Sequence, residues 1–263
     1  MPELPEVHTF NQYFRKAALQ QTIQQVRVAD DKILRNVSGE AFIDLMTGRT
    51  FVDTYRRGKY LFARLDNQHD ILLHFGMTGD LKYYAEPEEA PKHERFAFEF
   101  TDGMHLGFDC PRKFARILYL EDRDAYIKAV GLGEDALTIE LTTFLDKTSQ
   151  AKGTIKGWLL NQSNLAGVGN LYADVACYRA RVHPGSTTRA ISKKKRKELF
   201  QHLQEILQQA VDQLPYYKSY PKPWIWDWRV EGHPAPNGKG KAEHAKIGGR
   251  TTYFNKAWQK LYV

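Results

Sequence analysis

The chain opens MPELPEV, and its second and third residues are the first with chemical interest. Met1 precedes a small residue, so removal of the initiator methionine would leave Pro2 with a free secondary amine. An α-amino group titrates at about 7.7–8.0, against about 10.4 for lysine, and so keeps a neutral, nucleophilic fraction near neutral pH. A secondary amine that attacks an aldehydic sugar carbon gives an iminium ion. The charged nitrogen draws electrons and acidifies the neighbouring C–H, which is covalent catalysis by an amine. Glu3 lies directly beside Pro2 and could act as acid and base. The plainer alternative is that Pro-Glu-Leu-Pro-Glu only starts and caps a helix.

Other chemistries are excluded or left open by composition. Two cysteines, Cys110 and Cys177, cannot build a disulfide framework or a four-cysteine zinc site. Reduced thiols suggest a cytosolic protein. The N-terminus has no basic n-region of a targeting signal, and no apolar run reaches membrane-spanning length, so no membrane is expected. The net charge of +7 is unevenly spread: residues 1–146 hold 18 basic and 24 acidic side chains, and residues 147–263 hold 20 and 7. A second half at +13 calls for a polyanionic partner. Within it, Gly167-Val168-Gly169-Asn170 reads as a turn opening a helix, which presents backbone N–H groups to phosphate. Arg189–Glu198 carries six basic residues and one acid, and fits either a DNA-tracking face or a solvated one.

Two kinds of element must position these groups. A helix is predicted from Glu6 to about Leu19, with Val7, Phe10, Phe14 and Ala17 on one face. Strand-like segments follow at Thr22–Val28, Arg49–Tyr55, Lys59–Leu65, Ile71–Phe75, Leu81–Tyr84, Arg95–Phe100, His105–Phe108 and Arg116–Leu120. Asp102-Gly103 is a hairpin turn, and Ser38 caps a short helix to Leu45. So many short strands predict a β-sandwich or barrel. Beyond Gly131–Gly133 the periodicity turns helical, at Ile139–Leu145, Ile155–Leu160, Leu171–Tyr178 and Leu199–Leu214, the last stopped by Pro215. The end, Ala242–Tyr262, reads as a β-hairpin. The class is α+β, with domains at 1–133 and 134–263 and the hairpin at about 240–263 of the second.

Taken together, the strings resemble the bacterial formamidopyrimidine-DNA glycosylase and endonuclease VIII family. They are MPELPEV, RRGKYL at Arg56–Leu61, LHFGMTGDL at Leu73–Leu81, DCPRKFAR at Asp109–Arg116, NQSNLAGVGNLYADVACYRARVHP at Asn161–Pro184 and GGRTTYF at Gly248–Phe254. They cover nearly the full length in the family's order. The resemblance implies an N-terminal β-sandwich domain, then a helical domain with a helix–two-turn–helix motif and a β-hairpin finger. It implies that Pro2 is the nucleophile at the sugar carbon, that Glu3 protonates the opening ring, and that Lys59 contacts the lesion and its phosphate. Met77, Arg112 and Phe114 would fill the hole left by an everted nucleotide; Met77 and Phe114 could equally be core. Asn170, Tyr172 and Arg250 would hold phosphates. Lys152 and Lys156 add charge or are plain surface.

Two departures qualify the resemblance. Zinc-bearing relatives place two Cys-x-x-Cys pairs around the finger, whereas Asn255 and Trp258 stand at the second pair and His233–Lys241 has no cysteine. Neither residue replaces a thiolate, so a zinc-less finger without cofactor is expected. The stretch Pro215–Val230, PYYKSYPKPWIWDWRV, does not resemble the oxoguanine-covering loop of relatives. Its aromatics either stack on bases or pack against the finger. The implied function is a bifunctional glycosylase and abasic-site lyase acting on damaged double-stranded DNA, as a cytoplasmic, nucleoid-associated monomer. The alternative is a non-catalytic binder of damaged or abasic DNA.

Overall fold

The computed structural model describes residues 2–213, 220 and 224–263. It has two compact units, Met1–Gly131 and Leu132–Val263.

The first unit begins with α1 (Leu4–Ala18). It starts two residues before the sequence pattern suggests, because Glu3 caps it and Pro5 sits in its first turn, where a missing N–H costs nothing. Eight strands follow: β1 (Ile23–Val28), β2 (Phe51–Arg57), β3 (Tyr60–Leu65), β4 (Asp70–His74), β5 (Asp80–Tyr84), β6 (Glu94–Phe100), β7 (His105–Asp109) and β8 (Arg116–Leu120). They form two antiparallel four-stranded sheets, in the orders β1-β6-β7-β5 and β2-β3-β4-β8. Gly103 takes a φ of +82° in the turn joining β6 to β7. The short helix α2 (Gly39–Met46) has Ser38 as its cap, with Oγ accepting from the Ala41 amide at 3.2 Å. A further helix, α3 (Arg123–Ala129), was not expected from apolar spacing; Asp122 caps it through the amides of Asp124 and Ala125.

Phenylalanines dominate the core of this unit. Phe10 and Phe14 of α1 are fully buried, Phe10 stacked on Phe75 at 4.0 Å and Phe14 edge-on to Phe51 at 5.0 Å. Phe75 continues the stack to Phe108 at 5.6 Å, and Phe108 to Phe96 at 5.3 Å. The helix that carries residues 2 and 3 is thereby fixed to β-sheet side chains.

In the second unit, β9 (Glu134–Asp135) pairs in parallel with β10 (Leu165–Ala166). The helices are α4 (Leu141–Ser149), α5 (Ile155–Leu160), α6 (Asn170–Arg179) and α7 (Lys193–Gln213). The last starts six residues before the apolar pattern does, since its lysine-rich first turns carry no apolar stripe; Leu199, Leu203, Ile206, Leu207 and Ala210 form the buried face. The stop assigned to Pro215 lies outside the described residues. The hairpin is β11 (Glu243–Ile247) and β12 (Arg250–Phe254). Past Phe254 the chain leaves the ladder and runs beside residues 181–187, with His183 N–H donating to Lys260 O and Thr187 N–H to Tyr262 O, each at 2.8 Å.

Phe10→Ala removes a fully buried ring from under α1. It should destabilise the protein by about 3–5 kcal/mol, as read by urea unfolding. A loss below about 1 kcal/mol would mean that the stack does not anchor the helix.

Candidate active site and nucleic-acid interface

Pro2, Glu3 and Glu6 are buried, with Glu3 at 1% exposure. The Glu3 N–H donates to Glu6 Oε2 at 2.8 Å, and its carbonyl accepts from the Val7 amide at 3.0 Å. Both carboxyl groups lie at the N-terminal end of α1. The start of α1 is therefore a capped helix, and Pro2 and Glu3 are held by it; the two sequence readings are compatible.

Lys59 sits in the two-residue turn between β2 and β3, where Arg57 pairs with Tyr60. Gly58 has a φ of +57°, as a two-residue hairpin turn requires at its first central position. Its carbonyl accepts from Arg56 Nη1 at 3.1 Å. Lys59 is only 8% exposed, so it is not an ordinary solvated strand-end lysine.

His74 was not singled out from sequence, although it lies inside the LHFGMTGDL string. Burial, then the positive charges of Arg116 and Lys59, push its pKa down to about 4. Its Nδ1 accepts from the Gly76 amide at 3.3 Å, so the neutral ring carries its proton on Nε2. It is an uncharged hydrogen-bond donor beside a lysine.

Two loops of this unit meet. A Cβ on Gly76, whose φ is +61°, would lie 2.4 Å from the Phe114 carbonyl, so only glycine permits the approach. The Arg112 amide faces Thr78 Oγ1 at 3.4 Å. Behind them Asp30 pairs with Lys113 and, at 3.3 Å, with Arg95. The hydrogen bond from Lys113 holds the Asp30 carboxyl below its usual range. On this base Met77 is 40% exposed and Phe114 52%, and the Arg112 guanidinium lies 5.0 Å from the Phe114 ring. Met77 and Phe114 are not core residues; they are displayed beside Arg112.

In the second unit α5 and α6 present their N-termini beside the hairpin tip. Gly248 and Gly249 turn the hairpin with φ of +60° and +76°. A Cβ on Gly248 would meet the Gly157 Cα at 3.1 Å, which seats the turn on α5. Arg250 follows the turn and is exposed. Asn170 is the first residue of α6, and its Nδ2 donates to Thr251 O at 3.0 Å, so its amide locks α6 to the hairpin.

Beneath lies Asp174, fully buried. It takes a charged contact from Lys156, two from Arg229 (Nη2 at 2.7 Å and Nε at 2.9 Å), and the Tyr253 N–H at 3.1 Å. Lys156 also donates to Asn170 O at 2.9 Å. Burial pushes the Lys156 pKa down against the pull of Asp174. This corrects the reading of Lys156 as surface charge, while Lys152 is exposed. Tyr172 needs a correction too. Its side chain is at 0% exposure, edge-on to Trp226 at 5.4 Å, because α6 is buried on nearly every side. A phenol sealed this way does not meet a phosphate.

Of Pro215–Val230, only Tyr220 and residues 224–230 are described. Trp228 packs on Tyr178 at 4.6 Å and joins the cluster of Tyr178, Ala235 and Ala242 with Tyr253 and Trp258. Trp228 thus packs against the finger, while Trp226 packs on α6 and against Trp224 and Tyr220. At the finger base Asn255 is fully buried; its Nδ2 donates to Lys239 O at 2.6 Å and its Oδ1 accepts from the Ala257 amide at 2.9 Å. Trp258 Nε1 donates to Tyr178 O at 3.2 Å, under the Arg181 guanidinium at 3.9 Å. The donor set does not fit zinc: among the described residues no three His, Cys, Asp or Glu side chains are grouped to hold a metal.

The arrangement defines a two-unit protein of the β-sandwich and helix–two-turn–helix type, with a finger hairpin. Family profiles match accordingly: the formamidopyrimidine-DNA glycosylase N-terminal domain over residues 1–117 and the formamidopyrimidine-DNA glycosylase H2TH domain over 132–215. A formamidopyrimidine-DNA glycosylase of Arabidopsis thaliana is 33% identical over all of this chain and 72% of its own length. One of Heliobacterium modesticaldum is 31% identical over 99% of this chain and 100% of its own. The chain belongs to the formamidopyrimidine-DNA glycosylase family. The fold is shared with Lactococcus lactis Fpg solved with an abasic-site DNA, at a TM-score of 0.91 and 23% identity, over 98% of this chain and 99% of that one.

Two outcomes follow from these placements. Arg250→Ala should leave the melting temperature unchanged and lower the salt slope of duplex binding by roughly 1, since one phosphate contact is lost. An unchanged slope would remove Arg250 from the interface. For His74, the unfolded ring titrates near 6.5 and the folded one at about 4, so its contribution to stability is complete above the unfolded value and lost as pH falls through the folded one. The loss is at most about 3 kcal/mol, reduced by solvent screening. His74→Gln should flatten the unfolding free energy between about pH 6.5 and 4 relative to the parent. Parallel curves would show that the ring is not held neutral.

Proposed function

We propose that the chain is a bifunctional DNA glycosylase and abasic-site lyase of base excision repair, which removes oxidised bases through a Schiff base on Pro2. The observation that carries this is the Pro2-Glu3 pair, buried at the charged start of α1 in a chain that belongs to this family over nearly its whole length. Lactococcus lactis Fpg has been solved with abasic-site DNA and with FAPY-dG-containing DNA, which supports duplex DNA as partner. One chain carries every residue the reading uses, so a monomer suffices.

The steps follow from the residues. The Pro2 nitrogen bonds to the sugar C1′ while the glycosidic bond breaks, and the base leaves with the bonding electron pair and takes up the proton that the nitrogen gives up. Glu3 delivers a proton to the ring oxygen as the ring opens, and the nitrogen becomes an iminium. That charge acidifies C2′, whose proton is lost as the 3′-phosphate departs. Lys59 and neutral His74 offer cationic and uncharged donors to lesion and phosphate oxygens. Met77, Phe114 and Arg112 stand in the place of the everted nucleotide, which offsets part of the few kcal/mol that extrusion costs. A non-catalytic binder would have no use for a buried glutamate beside a terminal imino acid.

Borohydride should trap the processed protein covalently on abasic or lesion DNA, with the adduct at residue 2, because an iminium is reducible. Retained Met1 makes the nitrogen an amide and should abolish trapping. Glu3→Gln should strongly reduce base removal and spare some cleavage at a preformed abasic site. An adduct on Lys59, or tight abasic-DNA binding without any adduct, would overturn the assignment.

Lesion choice gives a further expectation. Pro215–Val230 does not resemble a purine-capping loop, and its described tryptophans are spent on α6 and the finger. Formamidopyrimidines, hydantoins or oxidised pyrimidines should therefore be excised faster than oxoguanine opposite cytosine. Initial rates on a panel of single-lesion duplexes decide this, and oxoguanine as the best substrate would refute it.

A further inference from the structure

We propose that the N-terminal end of α7 is a second phosphate-binding surface, which takes the backbone of the duplex flanking the lesion. Lys193, Lys194 and Lys197 are exposed there, as is Arg189 just before the helix. Glu198, the one acid of the segment, is already paired with Lys195.

The second observation is Arg196. It is only 9% exposed, and its Nε and Nη1 are sealed from solvent with no hydrogen-bond partner among the described residues. Burial lowers its pKa from the ordinary value. A guanidinium does not give up its proton, so it remains a desolvated cation inside a basic patch. Side chains of a helix lean toward its N-terminus, so the Arg196 head lies over the first turn of α7. In that turn Ser192 Oγ accepts from the Lys195 amide at 3.3 Å, which leaves the amides of Lys193 and Lys194 without an acceptor. Lysines, guanidinium, free amides and helix dipole all carry the same sign. Among the described residues no acid faces Arg196, and a phosphate from outside the chain would supply the counter-charge.

Backbone continuity identifies its source. Thr188 N–H donates to Gly153 O at 2.9 Å and Arg189 N–H to Ala151 O at 3.1 Å. The next residue, Thr154, caps α5, the helix on which the Gly248 turn beside Arg250 is seated. Exposed Lys152 lies between. The patch thus continues from the hairpin tip through Lys152 and Arg189 to Lys197, and a linear polyanion fits this better than a compact acidic peptide. The inference rests on the glycosylase reading for its choice of DNA.

The test compares a lesion duplex trimmed to the shortest that is still cleaved with one extended by a helical turn, about 10 base pairs, on both sides. The salt slope of binding is measured for the parent, for the triple variant Lys193→Gln/Lys194→Gln/Lys197→Gln, and for Arg196→Leu. The parent should gain slope on extension, the triple variant should lose that gain by about 1 for each contact removed, and Arg196→Leu should lose part of it while remaining folded by thermal melt. Excision from the short duplex should be unchanged in all three, whereas a parent that cleaves no lesion duplex of any length would indict the glycosylase reading instead. No gain on extension, or an equal gain in the triple variant, overturns the proposal. So does a patch that binds a glutamate-rich peptide while the longer duplex brings nothing.

Discussion

As the proposed nucleophile, Pro2 has covalent support from one side only, and that constraint governs the first unit. A strand end or a loose tail would leave residue 2 to sample many positions, and misplacement of a reacting group by an ångström is costly. Here the support is a helix that starts at once: Pro5 suits its first turn, and Glu6 ties back the Glu3 amide. Phe10 and Phe14 then fasten the helix into the phenylalanine stack that links it to Phe51 and Phe75. The same Phe75 immediately precedes the Gly76–Met77 loop, so one stack holds both the nucleophile's helix and the displayed methionine.

The second unit solves a different problem, that of aiming positive groups outward from a compact helical body. Its centre is a single carboxylate. Asp174 gathers Lys156 from α5, Arg229 from the aromatic segment and the Tyr253 amide from β12. Such a buried ionic group is weak evidence of added stability, but the removal of one partner leaves the others uncompensated. Its geometric effect is to fix α5, α6 and the finger in one arrangement. The Asn170 amide repeats the lock nearer the surface, through Thr251. Arg250, one residue before Thr251 in the hairpin, inherits its place from both.

Much of this was legible in the amino-acid order. Runs rich in Ile, Val, Tyr and Phe, separated by turn residues, revealed all eight sandwich strands to within about two residues at their ends. Residues 2 and 3 by themselves fit an amine nucleophile beside a carboxylate or a capped helix start, and it is the resemblance of the surrounding strings that favours the first. What escaped was set by three-dimensional proximity. The weak apolar pattern of α3 hides a helix that depends on the Asp122 cap. The start of α7 is polar and leaves no apolar stripe to read. Lys156 reads as surface because lysine usually is; only the carboxylate of a residue eighteen positions away makes its burial tolerable. Tyr172 sits in a string that promised phosphate contacts, yet its helix is enclosed, and no local pattern separates an enclosed helix from a half-exposed one. His74 shows the opposite gap: it lay in a recognised string, but its neutrality comes first from burial in the fold and then from Arg116 and Lys59, which are remote in the chain.

The finger base has a chemical consequence of its own. Where Asn255 and Trp258 stand, the contacts are carboxamide to backbone carbonyl and indole to backbone carbonyl. Thiolates are lost stepwise to sulfenic, sulfinic and sulfonic acids, and a site that depends on them opens as they oxidise. A carboxamide has no such ladder to climb. The chain's two thiols, Cys110 and Cys177, are both sealed from solvent, and burial pushes the Cys177 thiol up to about 12, away from the reactive thiolate. The base of the finger is thus held without thiolates, and the hairpin that bears Arg250 should keep its shape under oxidising conditions.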